Sequence, residues 1–130
     1  MSQGNASFGK VLNAALGAVC LVLALVYLFV ALPKKRLHEK VNAAVEKANE
    51  ATNLGKAKRY DEAVVVYEKA IADLDACLRK LGKKSSDRAS VAETLALVRT
   101  NLAALLEQVR KDYVGAAEQY EAILAVRPAD

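Results

Sequence analysis

Few side chains in this sequence are equipped for chemistry. His38 is the single histidine. It stands in a basic stretch with no Asp or Cys at ligand spacing, so a solvated imidazole is expected there, not a metal ligand or general base. Cys20 falls in an uncharged run and Cys77 on an apolar helical stripe. So placed, they do not pair with each other, and each is expected as a small buried thiol, a state that suits a reducing compartment. Asp73 and Asp75 flank the Cys77 stripe and read as ordinary solvated carboxylates. The sequence carries no Gly-rich phosphate loop, no nucleophile turn and no carboxylate pair in an apolar setting. No catalytic residue, metal ligand, cofactor or small-molecule substrate is assigned, and the chain is read as a non-enzyme.

The chemistry that remains is association, with lipid and with protein. Residues 11 to 32 read VLNAALGAVCLVLALVYLFVAL, 22 positions without a charged side chain. At 1.5 Å per residue such a helix is about 33 Å long, enough to cross a hydrocarbon core of about 30 Å. The run ends directly in Pro33-Lys34-Lys35-Arg36 and has no small-residue cleavage site, so it reads as an uncleaved anchor and not a secretory signal. Pro33 lacks an N–H and disfavours helix at Leu32, which predicts a break or kink after the span.

Charge orients the span. Lys10 alone precedes it, whereas Lys34, Lys35, Arg36 and Lys40 follow it. The positive-inside rule then places the C-terminal region on the cytoplasmic or matrix-like side. Residues 33–60 carry eight basic side chains against three acidic ones, and residues 61–130 carry ten against twelve. The basic excess therefore hugs the membrane, as expected beside anionic headgroups. No basic stripe interleaved with aromatics occurs, which argues against a nucleic-acid partner. Within the span, Gly9, Asn13, Gly17, Cys20 and Ala24 recur at spacings of three or four. That stripe of small or weakly polar residues suits close packing against another membrane helix.

The region beyond is expected to be all helical. The chain is divided into a tail (1–10), a transmembrane helix (11–32), a basic linker (33–40) and a domain of about four antiparallel helices (41–130). A weakly apolar first helix runs over Leu37, Val41, Ala44, Val45, Ala48 and Thr52, and should end near Gly55 in a left-handed residue. The second helix, capped by Asp61, carries Ala63, Tyr67, Ala70, Leu74, Cys77 and Leu81. Residues 82–86, Gly-Lys-Lys-Ser-Ser, form a loop. A third helix starts at Ser86 or Asp87, and a fourth near Asp112. No alternating stretch asks to be a strand.

Two segments resemble each other. Tyr60, Ala63, Tyr67 and Ala70 in one match Tyr113, Ala116, Tyr120 and Ile123 in the other. Both resemble the second helix of a tetratricopeptide repeat with the aromatic of its opening turn. The second copy also has the closing proline, Pro128. The resemblance, over residues 41–128, implies helical hairpins stacked to hold other proteins. It implies that Tyr60 and Tyr113 sit at the start of helices, with Tyr67 and Tyr120 packed further along. The pattern also departs from the family. The tyrosines recur after 53 residues, where the family period is about 34; Asp75 stands where the first copy would have its proline; and residues 101–113 need a one-residue insertion to align.

Together these features describe a membrane-anchored interaction protein whose partners are lipid and other protein subunits. The favoured reading is an accessory subunit of a larger mitochondrial membrane complex. The alternative is an import receptor or adaptor of an organelle outer membrane, binding peptides in a helical groove.

Overall fold

The computed structural model describes residues 2–126, with side chains from residue 7 onward. Every regular element in that range is helical: α1 (Ser2–Val26), a short π-helical segment (Tyr27–Ala31), α2 (Leu32–Lys56), α3 (Tyr60–Lys80), α4 (Ser86–Gln108) and α5 (Tyr113–Val126). The chain divides into two compact units, Met1–Leu37 and His38–Asp130.

In the first unit, Val11 to Val30 are solvent-exposed throughout. The apolar helix is long and apolar enough to cross a membrane, and none of its most apolar stretch is buried within the structure. Helix α4 also passes a test of length and composition, but it is less apolar and partly buried in the second unit, as a core helix should be.

Pro33 does not end the helix. It occupies the first turn of α2, and residues 33–40 are helical, with the departure from regular helix falling upstream of the proline. The backbone accommodates the proline just upstream. Across Tyr27–Ala31 the turn widens, and the Leu32 N–H reaches back five residues to the Tyr27 carbonyl. Pro33 offers no N–H to the carbonyl of Phe29 and would crowd it in a regular helix. A π turn opens the helix at that point.

The second unit is a bundle of four helices, compatible with a helical repeat-like domain. Thr52 meets Tyr67 and Lys47 meets Asp73, which fixes α2 and α3 as antiparallel neighbours. Helix α3 packs on α4, and α4 on α5. The largest fully buried side chains are Leu74, Leu95 and Leu102, from the α3 and α4 stripes. Helix α2 contributes only Ala44, Ala48 and Ala51 to the core. Small side chains let it lie close to its neighbours while burying little apolar area of its own.

The turns differ in detail from expectation. Gly55 remains helical, and the left-handed residue is Lys58, with φ 63°. Asp61 does not cap α3: Arg59 holds that position without a side-chain cap, and Asp61 instead pairs with Arg110 at 3.1 Å. Helix α4 starts at Ser86, and the Ser85 hydroxyl accepts from the Asp87 N–H. Arg88, near its start, donates to the carbonyls of Leu78 and Leu81, which helps satisfy the C-terminal end of α3. Asp112 opens α5, accepting the Gly115 N–H at 2.9 Å. An added Cβ at Gly115 would fall 2.5 Å from the Asp112 carboxylate, so the small residue permits this cap.

Candidate functional site

On α1 the stripe of Asn13, Gly17, Cys20 and Ala24 is exposed and Gly9 is half-buried. Helix continues through all five positions, so they share a face. A Cβ added at Gly9 or Gly17 would meet nothing within 4 Å. Lys34, Lys35, Arg36 and Lys40 are all exposed on α2, and no ion pair among the described residues involves them.

The repeat residues take matched positions but unmatched burial. Tyr60 and Tyr113 are the first residues of α3 and α5. Ala63, Ala70 and Ala116 are buried, where small side chains let helices approach. Tyr67 is buried, and its hydroxyl lies 2.8 Å from the Thr52 hydroxyl. Tyr120, by contrast, is 41% exposed, with its hydroxyl at 3.5 Å from Glu107. The expected packing of Tyr120 is therefore corrected. Helix α3 lies between α2 and α4, whereas α5 is covered by α4 alone among the described residues. Pro128 lies outside those residues.

This difference leaves an uncovered surface. Tyr113, Ala117, Tyr120 and Leu124 follow one another at three-four spacing, within an arc of about 60° on the helix. All four are exposed, Tyr113 by 61% and Leu124 by 72%. Ala116 and Ile123 lie on a separate face toward α4. Helix α5 thus has two apolar faces, and only one is used within the bundle. Sequence reasoning took Tyr120 as packed and placed Tyr113 at the start of its helix. The missed signal was the spread of apolar residues around α5, more than one neighbour can cover.

A second feature lies between α4 and α5, a cleft of about 190 Å³ walled by Ala89, Ala92, Leu95, Ala96, Ile123 and Val126, with Glu93 and Arg99 also lining it. Arg99 ties three helices together: it donates to Asp75 of α3 at 2.9 Å and to Gln119 of α5 at 3.0 Å. Asp75 and Asp73 are accordingly half-buried ion-pair partners, not the free solvated carboxylates expected. Arg99 follows the buried Val98 and lies three residues before the buried Leu102, and that position is the sequence signal for a partly buried charge. Cys20 is an exposed free thiol and Cys77 a buried one. Among the described residues no group of His, Cys, Asp and Glu could hold a metal ion.

No family model matches the chain, and neither does any curated protein or solved structure.

Proposed function

We propose that this chain is a non-enzymatic, membrane-anchored scaffold for protein–protein interaction, an accessory subunit of a larger mitochondrial membrane complex. The observation that carries the reading is the outer face of α5, where Tyr113, Tyr120 and Leu124 stay exposed while the apolar stripes of α3 and α4 are buried. A contiguous exposed apolar stripe on a small soluble unit marks an association surface. The anchor supports the same reading. Val11 to Val30 bury nothing within the chain, and the Gly9–Asn13–Gly17 face has room for a neighbouring helix. The mitochondrial placement rests on analogy with anchored helical-repeat proteins.

Purification in mild detergent, with identification of co-purifying chains, tests the proposal. Stable stoichiometric partners are expected, and a solitary protein overturns it. A peptide-receptor reading draws its support from the apolar cleft between α4 and α5, which is sized for one or two side chains and not for a whole helix.

A further inference from the structure

We infer that the outer face of α5 receives an amphipathic helix whose flanks are basic. The inference rests on the scaffold reading and adds the chemistry of the partner.

The apolar part follows from the repeat. On α3 the positions equivalent to Tyr113, Ala117, Tyr120 and Leu124 are Tyr60, Val64, Tyr67 and Ile71. There Tyr67 and Ile71 are 5% and 7% exposed, against 41% and 72% for Tyr120 and Leu124. The same stripe is covered where helices lie on both sides and bare where the described residues provide only one. A helix fits the open side: four anchors over eleven steps span about 16 Å, three turns of helix.

The charges select the partner. On α4 and α5, Glu93, Glu107, Glu118 and Glu121 make no ion pair among the described residues. The basic residues of this hairpin are mostly engaged: Arg88 on carbonyls, Arg99 on Asp75, Arg110 on Asp61. Of the glutamates, Glu107 lies beside Tyr120 and Glu121 borders the stripe on α5, so acidic side chains flank it in a chain whose overall charge is +4. Glu121 lies about 40° beyond Ala117 on the helix, beside the stripe. Lysine or arginine flanks on the incoming helix complement these acids. A second copy of this chain fits less well. Antiparallel pairing that sets Tyr113 against Leu124 and Ala117 against Tyr120 sets Glu121 against Ala116 and Glu118 against Gln119, so it brings no cation to either acid.

The experiment uses the full chain in phosphatidylcholine nanodiscs and two synthetic 18-residue helices. Both probes carry the same Leu/Ala stripe; one has Lys flanks and the other Glu flanks. Fluorescence anisotropy is read after subtraction of binding to empty nanodiscs. The Lys-flanked probe should bind at least tenfold more tightly. Leu124→Asp, at an exposed position, should weaken it by at least tenfold. Glu107→Lys with Glu121→Lys should reverse the preference. Equal affinity for the two probes overturns the inference, as does binding unaffected by Leu124→Asp. A concentration-dependent dimer abolished by Leu124→Asp also overturns it and gives the face to a second copy. If neither probe binds while stoichiometric partners still co-purify, the inference fails and the scaffold proposal stands. If the Lys-flanked probe binds but no partner co-purifies, the scaffold proposal fails and the inference stands.

Discussion

Lys58 and Lys111 share a left-handed backbone conformation, with φ 63° and 56°, and each stands two residues before the tyrosine that opens the next helix. The tyrosine repeat is thus a repeat of turns as well as of side chains. The second turn is one residue longer, 109–112 against 57–59. A non-glycine residue in this conformation costs about 1–2 kcal/mol, and helix C-termini favour glycine there. Lys58→Gly and Lys111→Gly should each raise stability by up to about 1 kcal/mol after allowance for a freer unfolded chain. Glu50→Gly, at an exposed position inside α2, should lower it by about 1 kcal/mol. Thermal unfolding followed by circular dichroism checks the signs, and a loss at Lys58 or Lys111 contradicts the account of the turns.

Leu74 and Leu102 are almost wholly buried, at 0% and 1% exposure. Truncating either to alanine removes apolar contact and leaves a cavity, at about 2–5 kcal/mol. Small domains have little stability in reserve, so each variant of the isolated fragment 36–130 should be largely unfolded at 25 °C. The parent fragment should give a helical spectrum without sheet character. A loss under about 0.5 kcal/mol, the range of surface sites, would place these residues outside the core.

Helix periodicity located α3 and its buried Leu74, and turn composition located the loop that precedes Ser86, because those signals are long or strong. Three kinds of feature were less legible. Helix ends depend on backbone geometry: Gly55 carried the compositional signal for a C-terminus, while Lys58 took the left-handed position. Pro33 reads locally as a breaker, but a π turn five residues long absorbs it upstream. Burial depends on neighbours that a local pattern does not name. Tyr67 and Tyr120 have the same sequence context, yet only one has helices on both sides. The ion pairs of Asp73 and Asp75 were hidden for the same reason, since Lys47 and Arg99 lie on other helices.

The two tyrosines make that difference measurable. Tyr67→Ala removes a buried ring and its hydrogen bond to Thr52, at about 3–5 kcal/mol by analogy with other large aromatic truncations. Tyr120→Ala trims an exposed side chain and should stay within about 0.5 kcal/mol. Chemical denaturation of both variants compares the two copies directly. Equal losses would mean that α5 is covered on its outer face in solution.

The apolar helix should hold the protein in membranes through alkaline carbonate treatment. Its uncharged stretch buries nothing within the chain, and under the proposed anchor lipid would cover it. Removal of residues 1–32 should release the remainder into the soluble fraction. Release of the full chain would overturn the anchor.

Asn13 and Gly17 provide the sharpest test of whether that anchor also packs. Both lie on the exposed α1 stripe with Gly9, Cys20 and Ala24, and space is open around Gly17. In lipid a small residue lets a second helix come close, and an amide gains from a partner's hydrogen bond, worth about 0.6–2 kcal/mol. Gly17→Leu should push the helices apart, and Asn13→Leu should remove the hydrogen bond. Each change makes the span more apolar, so carbonate resistance should be unchanged. Quantitative co-purification from mild detergent should then show partner recovery falling in each single variant and further in the double variant. A helix tethered only by lipid would tolerate both. Full assembly in the double variant would therefore remove the anchor from the interface and leave the outer face of α5 as the surface that binds.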